Sequence, residues 1–234
     1  MTIAMDTQKA DSKIRCVIYD CDGVLFDSFE ANTKLYNDLC AMVGRGPLRQ
    51  EEMDYVHTHT VFEAIHFIFG GRNDLEKKAL EILKEKQVDL RNYVHYLKME
   101  PHLLEALGGL KEKGMLRAIN TNRTTSMKYI MERFNLWPYF EMVVTALDVK
   151  NPKPHPESIE KIIAAFKLNK EEAVFVGDSE VDKQTAESSG VKFIAYKNPA
   201  IANDLFIEDH LEILNLLLPY KKTDNLWKMK TFQN

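Results

Sequence analysis

Two carboxylates separated by one residue follow an apolar run near the start of this 234-residue sequence. The run covers residues 14–19, and Asp20 and Asp22 come directly after it. At the end of a buried strand, Asp20 is placed to attack a phosphorus atom and form an acyl phosphate. Asp22 is placed to protonate the leaving alkoxide and later to deprotonate water. Gly23 lets the chain turn sharply and lets a phosphate approach the backbone.

Polar residues also follow the other apolar runs of the chain. Thr121 follows residues 116–119, Lys153 comes shortly after 142–145, and Asp178 follows 173–176. Clustered carboxylates repel each other and a phosphate dianion, so we expect a divalent cation, and oxygen ligands suit Mg²⁺. Asp178 is the further ligand that this reasoning adds. The Thr121 hydroxyl and the Lys153 ammonium are suited to the non-bridging phosphoryl oxygens.

These segments resemble the four motifs of the haloacid dehalogenase superfamily, in the same order and over residues 14 to about 196. Any one of them is a weak signal, whereas four in order are specific. The matching segments are Asp20-x-Asp22-Gly23-Val24 with Phe26-Asp27-Ser28, then Thr121-Asn122, then Lys153-Pro154, and finally Gly177-Asp178-Ser179-x-x-Asp182.

The resemblance implies roles for the acidic residues. It implies that Asp20, the backbone carbonyl of Asp22, and Asp178 bind Mg²⁺. It also implies that Asp182 supports this metal shell or orients Lys153.

The resemblance further implies a branch of the superfamily and a phosphate site. Asn122 would join Thr121 in binding phosphate. An insertion directly after the first motif is similar to the helical cap of the phosphoglycolate phosphatase and β-phosphoglucomutase branch. Asp22 argues against haloacid dehalogenases and phosphonoacetaldehyde hydrolases, which typically lack an aspartate there. Val24 replaces a common threonine, which keeps a mutase among the alternatives.

The elements that must position these residues follow from the hydrophobic pattern. Short apolar runs at 14–19, 116–119, 142–145, 173–176 and 191–196 alternate with helical patterns. This alternation predicts an α/β fold with a Rossmann-like, doubly wound parallel sheet. Between the first two runs, no strand-like run is apparent and the apolar spacing is helical.

We therefore predict an all-helical cap domain inserted into the core. The predicted division is a disordered tail at 1–12, a core at 13–28 and 99–220, the cap at 29–98 and a C-terminal tail at 221–234.

Three residues are candidates for contact with substrate outside the core motifs. His57 and His59 lie in a cap loop that is expected to reach the active site, although a lone histidine is more often structural. Thr60 with Glu63 predicts a capping box at the start of the next helix. Arg123 is suited either to a substrate anion or to a surface carboxylate.

Composition restricts the partners. The net charge is −4 and the apolar fraction is 45%, which favours a globular protein and gives no basic excess for nucleic acid. No apolar stretch is long enough to span a membrane. Three cysteines without metal-type spacing predict reduced thiols and a cytoplasmic location. The sequence carries no pattern that specifies an oligomeric state.

Together these features predict a Mg²⁺-dependent phosphatase of a small phosphorylated metabolite that works through an aspartyl-phosphate. A sugar-phosphate phosphomutase with the same intermediate is the first alternative. A phosphoacceptor or binding module, which shares these residue types, is the second. A cap counts against the module, because a signalling receiver does not need a lid.

Overall fold

A computed structural model describes residues 14–56, 59–85 and 88–217 of the chain. The strands in these residues are β1 (Cys16–Tyr19), β2 (Phe26–Asp27), β3 (Lys98–Met99), β4 (Leu116–Asn120), β5 (Met142–Val144), β6 (Ala173–Gly177), β7 (Lys192–Tyr196) and β8 (Phe206–Ile207). Six of them form a parallel sheet in the order β5-β4-β1-β6-β7-β8. The other two, β2 and β3, form a separate antiparallel pair.

Helices connect the strands and form the insertion. The α-helices are α1 (Phe29–Met42), α2 (Gln50–Val56), α3 (Val61–Phe69), α4 (Asn73–Lys84), α5 (Arg91–Val94), α6 (Leu103–Glu112), α7 (Ser126–Arg133), α8 (Glu157–Phe166), α9 (Glu180–Ser189) and α10 (Glu212–Leu217). Short 3₁₀ turns cover Trp137–Tyr139, Lys170–Glu172 and Pro199–Ile201.

The central strand β1 is buried on both faces. Val17 and Tyr19 belong to one hydrophobic cluster, and Cys16 and Ile18 belong to a second cluster. Successive side chains of a strand point to opposite faces of the sheet, so a strand covered on both sides is apolar throughout. The fold class predicted from the alternating runs is thereby confirmed.

The described cap contains α1 to α5, between β2 and β3, and has a third hydrophobic cluster of its own. The capping box predicted at Thr60 is present at the start of α3: the Glu63 amide donates to Thr60 Oγ1 at 3.3 Å, and the Thr60 amide donates to Glu63 Oε2 at 2.9 Å. It fixes the first turn of that helix.

Two expectations about the chain between the first two apolar runs are wrong. This stretch contains β2, within the predicted core, and β3, at the boundary of the predicted cap, although no strand-like run was expected there. Each of these strands has two residues, too few for a periodic pattern, and they form through their pairing. The apolar spacing after Asn73 also predicts one long helical segment, but α4 ends at Lys84 and α5 begins at Arg91.

The predicted domain limits stay a prediction, and the predicted tails at 1–12 and 221–234 lie outside the described residues. Ala31, Val94 and Leu97 fall within the predicted cap but pack in the core cluster that contains Tyr19. The two ends of the insertion are therefore packed against the core. Within 14–56, 59–85 and 88–217, no helix has the length and apolar character that crossing a membrane requires.

Candidate active site

The loops that carry the predicted site residues meet at one edge of the sheet. Asp20, Thr121 and Asp178 come directly after β1, β4 and β6, and β1 lies between the other two strands. The Asp20 amide donates to the Val176 carbonyl at 2.9 Å, and the Thr121 amide donates to the Val144 carbonyl at 3.0 Å. Backbone bonds to neighbouring strands thus fix both loops at the carboxyl edge, where parallel sheets bind ligands.

Lys153 lies in the centre of the acidic cluster and is buried. Its ammonium is 2.8 Å from Asp20 Oδ1 and 2.6 Å from Asp182 Oδ1. The Asn122 side-chain amide donates to the Lys153 carbonyl at 3.2 Å, which ties the lysine's loop to the loop after β4. Four of the predicted residues are therefore joined in one network.

Asp182 is fully buried in the first turn of α9. Its second carboxylate oxygen accepts a bond from Ser179 Oγ at 2.6 Å and one from the Ser179 amide at 3.2 Å. Both oxygens are therefore engaged, one by Ser179 and one by Lys153. Of the two roles implied for Asp182, this geometry favours the orientation of Lys153.

Asp178 packs against the turn that follows Asp20. Gly23 has a φ of +71°, and a Cβ atom there would lie 1.9 Å from Asp178 Oδ2. Only glycine satisfies both the left-handed backbone and this close approach. The Asn198 side chain donates to the Asp178 carbonyl at 2.8 Å and holds the backbone of the loop.

Burial and mutual repulsion perturb the ionisation of the cluster. Burial, together with the charge of Asp182, raises the pKa of Asp20 above its ordinary value, although Lys153 opposes the shift. Burial and the charges of Asp182 and Asp20 likewise raise the pKa of Asp178. Burial alone would lower the pKa of Lys153, but the carboxylates of Asp182 and Asp20 raise it above the usual lysine value. The lysine is thus held as a cation.

The donor set fits a divalent cation. Asp20, Asp178 and Asp182 each offer a carboxylate oxygen, and these oxygens lie within 4.8 Å of one another. Lys153 supplies one positive charge to this group of three carboxylates. Hard oxygen ligands with uncompensated negative charge are the chemistry that Mg²⁺ satisfies. Because Asp182 is already engaged twice, Asp20 and Asp178 are the better ligands.

The Asp22 carboxylate contacts a basic residue and a cap residue. Arg123 Nη2 donates to Asp22 Oδ1 at 2.5 Å, and the Asn32 side-chain amide lies 3.4 Å from the same oxygen. Arg123 also bonds through its own amide to Thr121 Oγ1 at 3.1 Å. The structure pairs Arg123 with the partly buried Asp22, a carboxylate of the site and not the surface carboxylate that was one of the two expected partners. Asn32 belongs to α1, so the cap reaches the acid directly.

A cavity of about 750 Å³ lies over these residues, between the sheet edge and the cap. Its lining includes the predicted residues Asp20, Asp22, Thr121, Asn122, Arg123, Lys153, Asp178 and His59. His59 also contacts the Tyr55 carbonyl through Nδ1 at 3.0 Å and stacks on the Tyr55 ring at 3.7 Å. The prediction for His57 falls outside the described residues.

Sequence reasoning missed Asn32, Asn198 and Leu147. Asn32 lies one turn after Ser28, on the first turn of the helix that leaves the Asp22 loop, and this position is the signal that could have found it. Asn198 and Leu147 lie in loops after β7 and β5, and nothing in their local sequence indicates which side of the sheet edge they reach.

Comparison with known proteins identifies the family of this chain. The sequence model of the haloacid dehalogenase-like hydrolases matches residues 17–196. A crystal structure of a haloacid dehalogenase-superfamily hydrolase of subfamily IA from Geobacter sulfurreducens is 42% identical, with a TM-score of 0.71, and covers 87% of this chain and 96% of that one. The chain belongs to the haloacid dehalogenase-like hydrolase family.

Relatives also indicate the class of enzyme within the family. A phosphoglycolate phosphatase from Salmonella choleraesuis is 34% identical over 209 residues, which cover 76% of this chain and 79% of the relative. The prediction of a phosphoric monoester hydrolase is confirmed at the level of this class. A β-phosphoglucomutase from Clostridium difficile, 16% identical with a TM-score of 0.74, covers 86% of this chain and 93% of its own and shares the fold.

Proposed function

We propose that the protein is a Mg²⁺-dependent phosphatase that hydrolyses a small phosphorylated metabolite through an aspartyl-phosphate on Asp20. The observation that carries the proposal is the buried contact of Lys153 with Asp20, beside Asp178 and beneath a cavity. A nucleophile, a fixed positive charge and a candidate metal ligand are thereby brought to one point.

In the first step, an Asp20 carboxylate oxygen attacks phosphorus and the bond from phosphorus to the leaving oxygen breaks. Asp22 donates a proton to that oxygen, so the alcohol leaves neutral. Arg123 and Asn32 orient the Asp22 carboxylate. Lys153, Thr121 and Asn122 lie on the lining, where they can hold the phosphoryl group.

In the second step, Asp22 takes a proton from water, and the water oxygen attacks phosphorus. The bond to Asp20 breaks, which regenerates the carboxylate and releases inorganic phosphate. Mg²⁺, held by Asp20, Asp178 and the Asp22 carbonyl, would neutralise charge that develops on the phosphoryl oxygens.

The buried free thiols of Cys16, Cys21 and Cys40 are compatible with a reducing compartment, and we place the enzyme in the cytoplasm. A mutase would return the phosphoryl group to a second hydroxyl of the substrate. Release of inorganic phosphate in each turnover, without a bisphosphate activator, distinguishes the phosphatase from that alternative. A phosphoacceptor module would be labelled once and release little phosphate.

The direct test is Asp20→Asn, which keeps the shape of the side chain but removes the nucleophilic charge. Phosphate release from p-nitrophenyl phosphate should fall by more than the roughly 10²–10⁴-fold credited to one acid/base group. Asp204→Asn, which changes an exposed aspartate of the core, is the matched control and should retain activity. Substantial turnover by a correctly folded Asp20→Asn protein would refute the nucleophile.

A further inference from the structure

The cavity over the acidic cluster is large for a small hydroxy acid. Its volume of about 750 Å³ lies within the range, roughly 300–1,000 Å³, of sites that enclose drug-sized ligands. The phosphate must lie at the sheet edge, next to Asp20 and Lys153, because the charged groups are there. The rest of the cavity extends away from that edge toward the cap, and it is available to the leaving group.

The cap side of this space is lined by apolar side chains from several helices. Each is only partly buried in the structure, so each presents carbon surface that a ligand can cover. These residues are Leu35 of α1, Val61 and Phe62 of α3, Leu80 and Leu83 of α4, and Leu90 before α5.

Two exposed apolar residues line the cavity, one from the cap and one from the core. Phe62, on the cap, is 59% exposed, and Leu147, in the core loop after β5, is 58% exposed. An isolated exposed apolar residue is ordinary on a protein surface. Two that line one cavity add to the carbon surface of the apolar cap wall, and a ligand gains free energy by removing this surface from water.

The charged residues on the described cap wall do not match a small anion. Arg91 is held by Asp89, with its Nε 2.8 Å and its Nη2 2.6 Å from the two carboxylate oxygens. Lys84, the other lysine or arginine on this part of the wall, is exposed to solvent. A glycolate carboxylate would need a committed cation within reach, whereas an apolar group needs only the carbon surface that is present.

We propose that the substrate is the phosphate monoester of a bulky, predominantly apolar alcohol, whose carbon body packs between Phe62 and Leu147 under the apolar cap wall. The proposal rests on the proposed function, because it names the substrate class of the same site. The alcohol oxygen lies at Asp22, and the carbon body extends from there into the cap.

Linear alkyl phosphates from methyl to hexyl test this, because the acidity of the leaving alcohol hardly changes along the series. Each buried methylene should raise kcat/KM by about two- to fourfold, so hexyl phosphate should exceed methyl phosphate by roughly thirtyfold or more. 2-Phosphoglycolate is measured beside them and should react more slowly than hexyl phosphate. A flat or falling series, or a preference for 2-phosphoglycolate, overturns the proposal.

Binding separates this proposal from the proposed function. Alkyl phosphonates are not hydrolysed, and calorimetry in Mg²⁺ measures their affinity whether or not the protein turns over an ester. Affinity should rise with chain length by a similar factor per methylene. If affinity rises but no ester is hydrolysed, the proposed function fails and the apolar site stands. If esters are hydrolysed but affinity is independent of length, the apolar site fails alone.

The residues are tested by the double variant Phe62→Ser with Leu147→Ser. Both side chains are exposed, so the fold should tolerate the change. The hexyl-to-methyl ratio of kcat/KM should fall by about tenfold or more. The control is Leu104→Ser with Trp137→Ser, which removes two exposed apolar residues that do not line the cavity. The proposal is overturned if both double variants change the ratio equally, or if Lys84→Ala lowers kcat/KM for 2-phosphoglycolate while chain length has no effect.

Discussion

At the scale of single residues, the role of Asp22 as the acid that protonates the leaving group can be tested directly. Asp22→Asn keeps an oxygen near Arg123 and Asn32 but cannot donate the proton that an alkoxide needs. We expect kcat/KM for an alkyl phosphate, which reports the transfer of the phosphoryl group to Asp20 and not its later hydrolysis, to fall by about 10²–10⁴-fold. The fall should be much smaller for p-nitrophenyl phosphate, whose leaving group departs without a proton. Parallel rate measurements with the two esters make the comparison, and equal losses for both would remove Asp22 as the acid.

At the scale of elements, the turn after β1 depends on a glycine for two separate reasons. Gly23→Ala must strain a left-handed backbone and also displace the Asp178 carboxylate, which lies 1.9 Å from the added Cβ. Gly44, after α1, has a φ of +82° with nothing within 4 Å of such a Cβ. Gly44→Ala should therefore cost only about 1–2 kcal/mol of unfolding free energy.

The two glycine variants together isolate the contact with Asp178. Gly23→Ala should lose unfolding free energy through the same kind of backbone strain. In addition, it should lose activity and Mg²⁺ affinity. Urea unfolding, phosphate release and Mg²⁺ titration measure the three effects. If Gly23→Ala binds Mg²⁺ as well as Gly44→Ala does, the close approach has no bearing on the metal site.

The turn before α10 contacts the loop that follows β1. His210 is fully buried, and its Nε2 lies 2.8 Å from the Val24 carbonyl, in the loop that carries Asp22. Its ring stacks on Tyr196 at 4.5 Å. Burial lowers the pKa of His210 below its ordinary value, although the Val24 carbonyl, Glu100 and Asp209 oppose the shift. The folded protein thus holds this histidine neutral.

A histidine with a depressed pKa destabilises the fold as the pH falls through its ordinary value of about 6.5, since the unfolded chain then binds the extra proton. We expect the contribution of His210 to the unfolding free energy to decrease from pH 8 to pH 5, whereas the raised pKa values of Asp20 and Asp178 act in the opposite direction. His210→Gln keeps a donor for the Val24 carbonyl and should remove the His210 contribution from the dependence of the unfolding free energy on pH. His210→Leu removes the donor and should cost about 1–3 kcal/mol at pH 8. Urea unfolding across this pH range is the measurement, and an unchanged slope in the glutamine variant would contradict the assignment.

The sequence predicts those parts of the structure whose signal is local. β1 and β4 to β7 form from apolar runs that are buried on both faces, and their ends fall within two residues of the prediction. The acidic cluster is also predictable, because its residues lie at the ends of these strands. The pairing of Arg123 with Asp22 joins residues 101 positions apart, so no local pattern chooses it over a substrate anion. Leu147 is likewise identified only once the cap is placed opposite its loop.

At the scale of the whole molecule, the candidate metal site joins separate parts of the sheet. Its ligands follow β1 and β6, so Mg²⁺ should bind the folded chain far better than the unfolded one. At a free concentration of 100 times Kd, Mg²⁺ should raise the unfolding free energy by about 2.7 kcal/mol. Asp178→Asn should remove this effect, and chelation should abolish turnover. Thermal unfolding with and without Mg²⁺ measures the stabilisation, and full activity after exhaustive chelation would refute the metal requirement.

The third hydrophobic cluster, which belongs to the cap alone, makes the cap a potential unit of cooperative unfolding. Its buried members extend from Tyr36 to Val88, whereas the two clusters of the core enclose the sheet. Such a unit can lose its order at a lower free energy than the sheet loses its own. Substitutions in the cap that are selected for new substrates would then lower the stability of the cap. They would have little effect on the stability of the sheet that carries the catalytic residues. In evolutionary terms, the core would conserve the reaction while the cap changes, so the choice of substrate could evolve without loss of the catalytic residues.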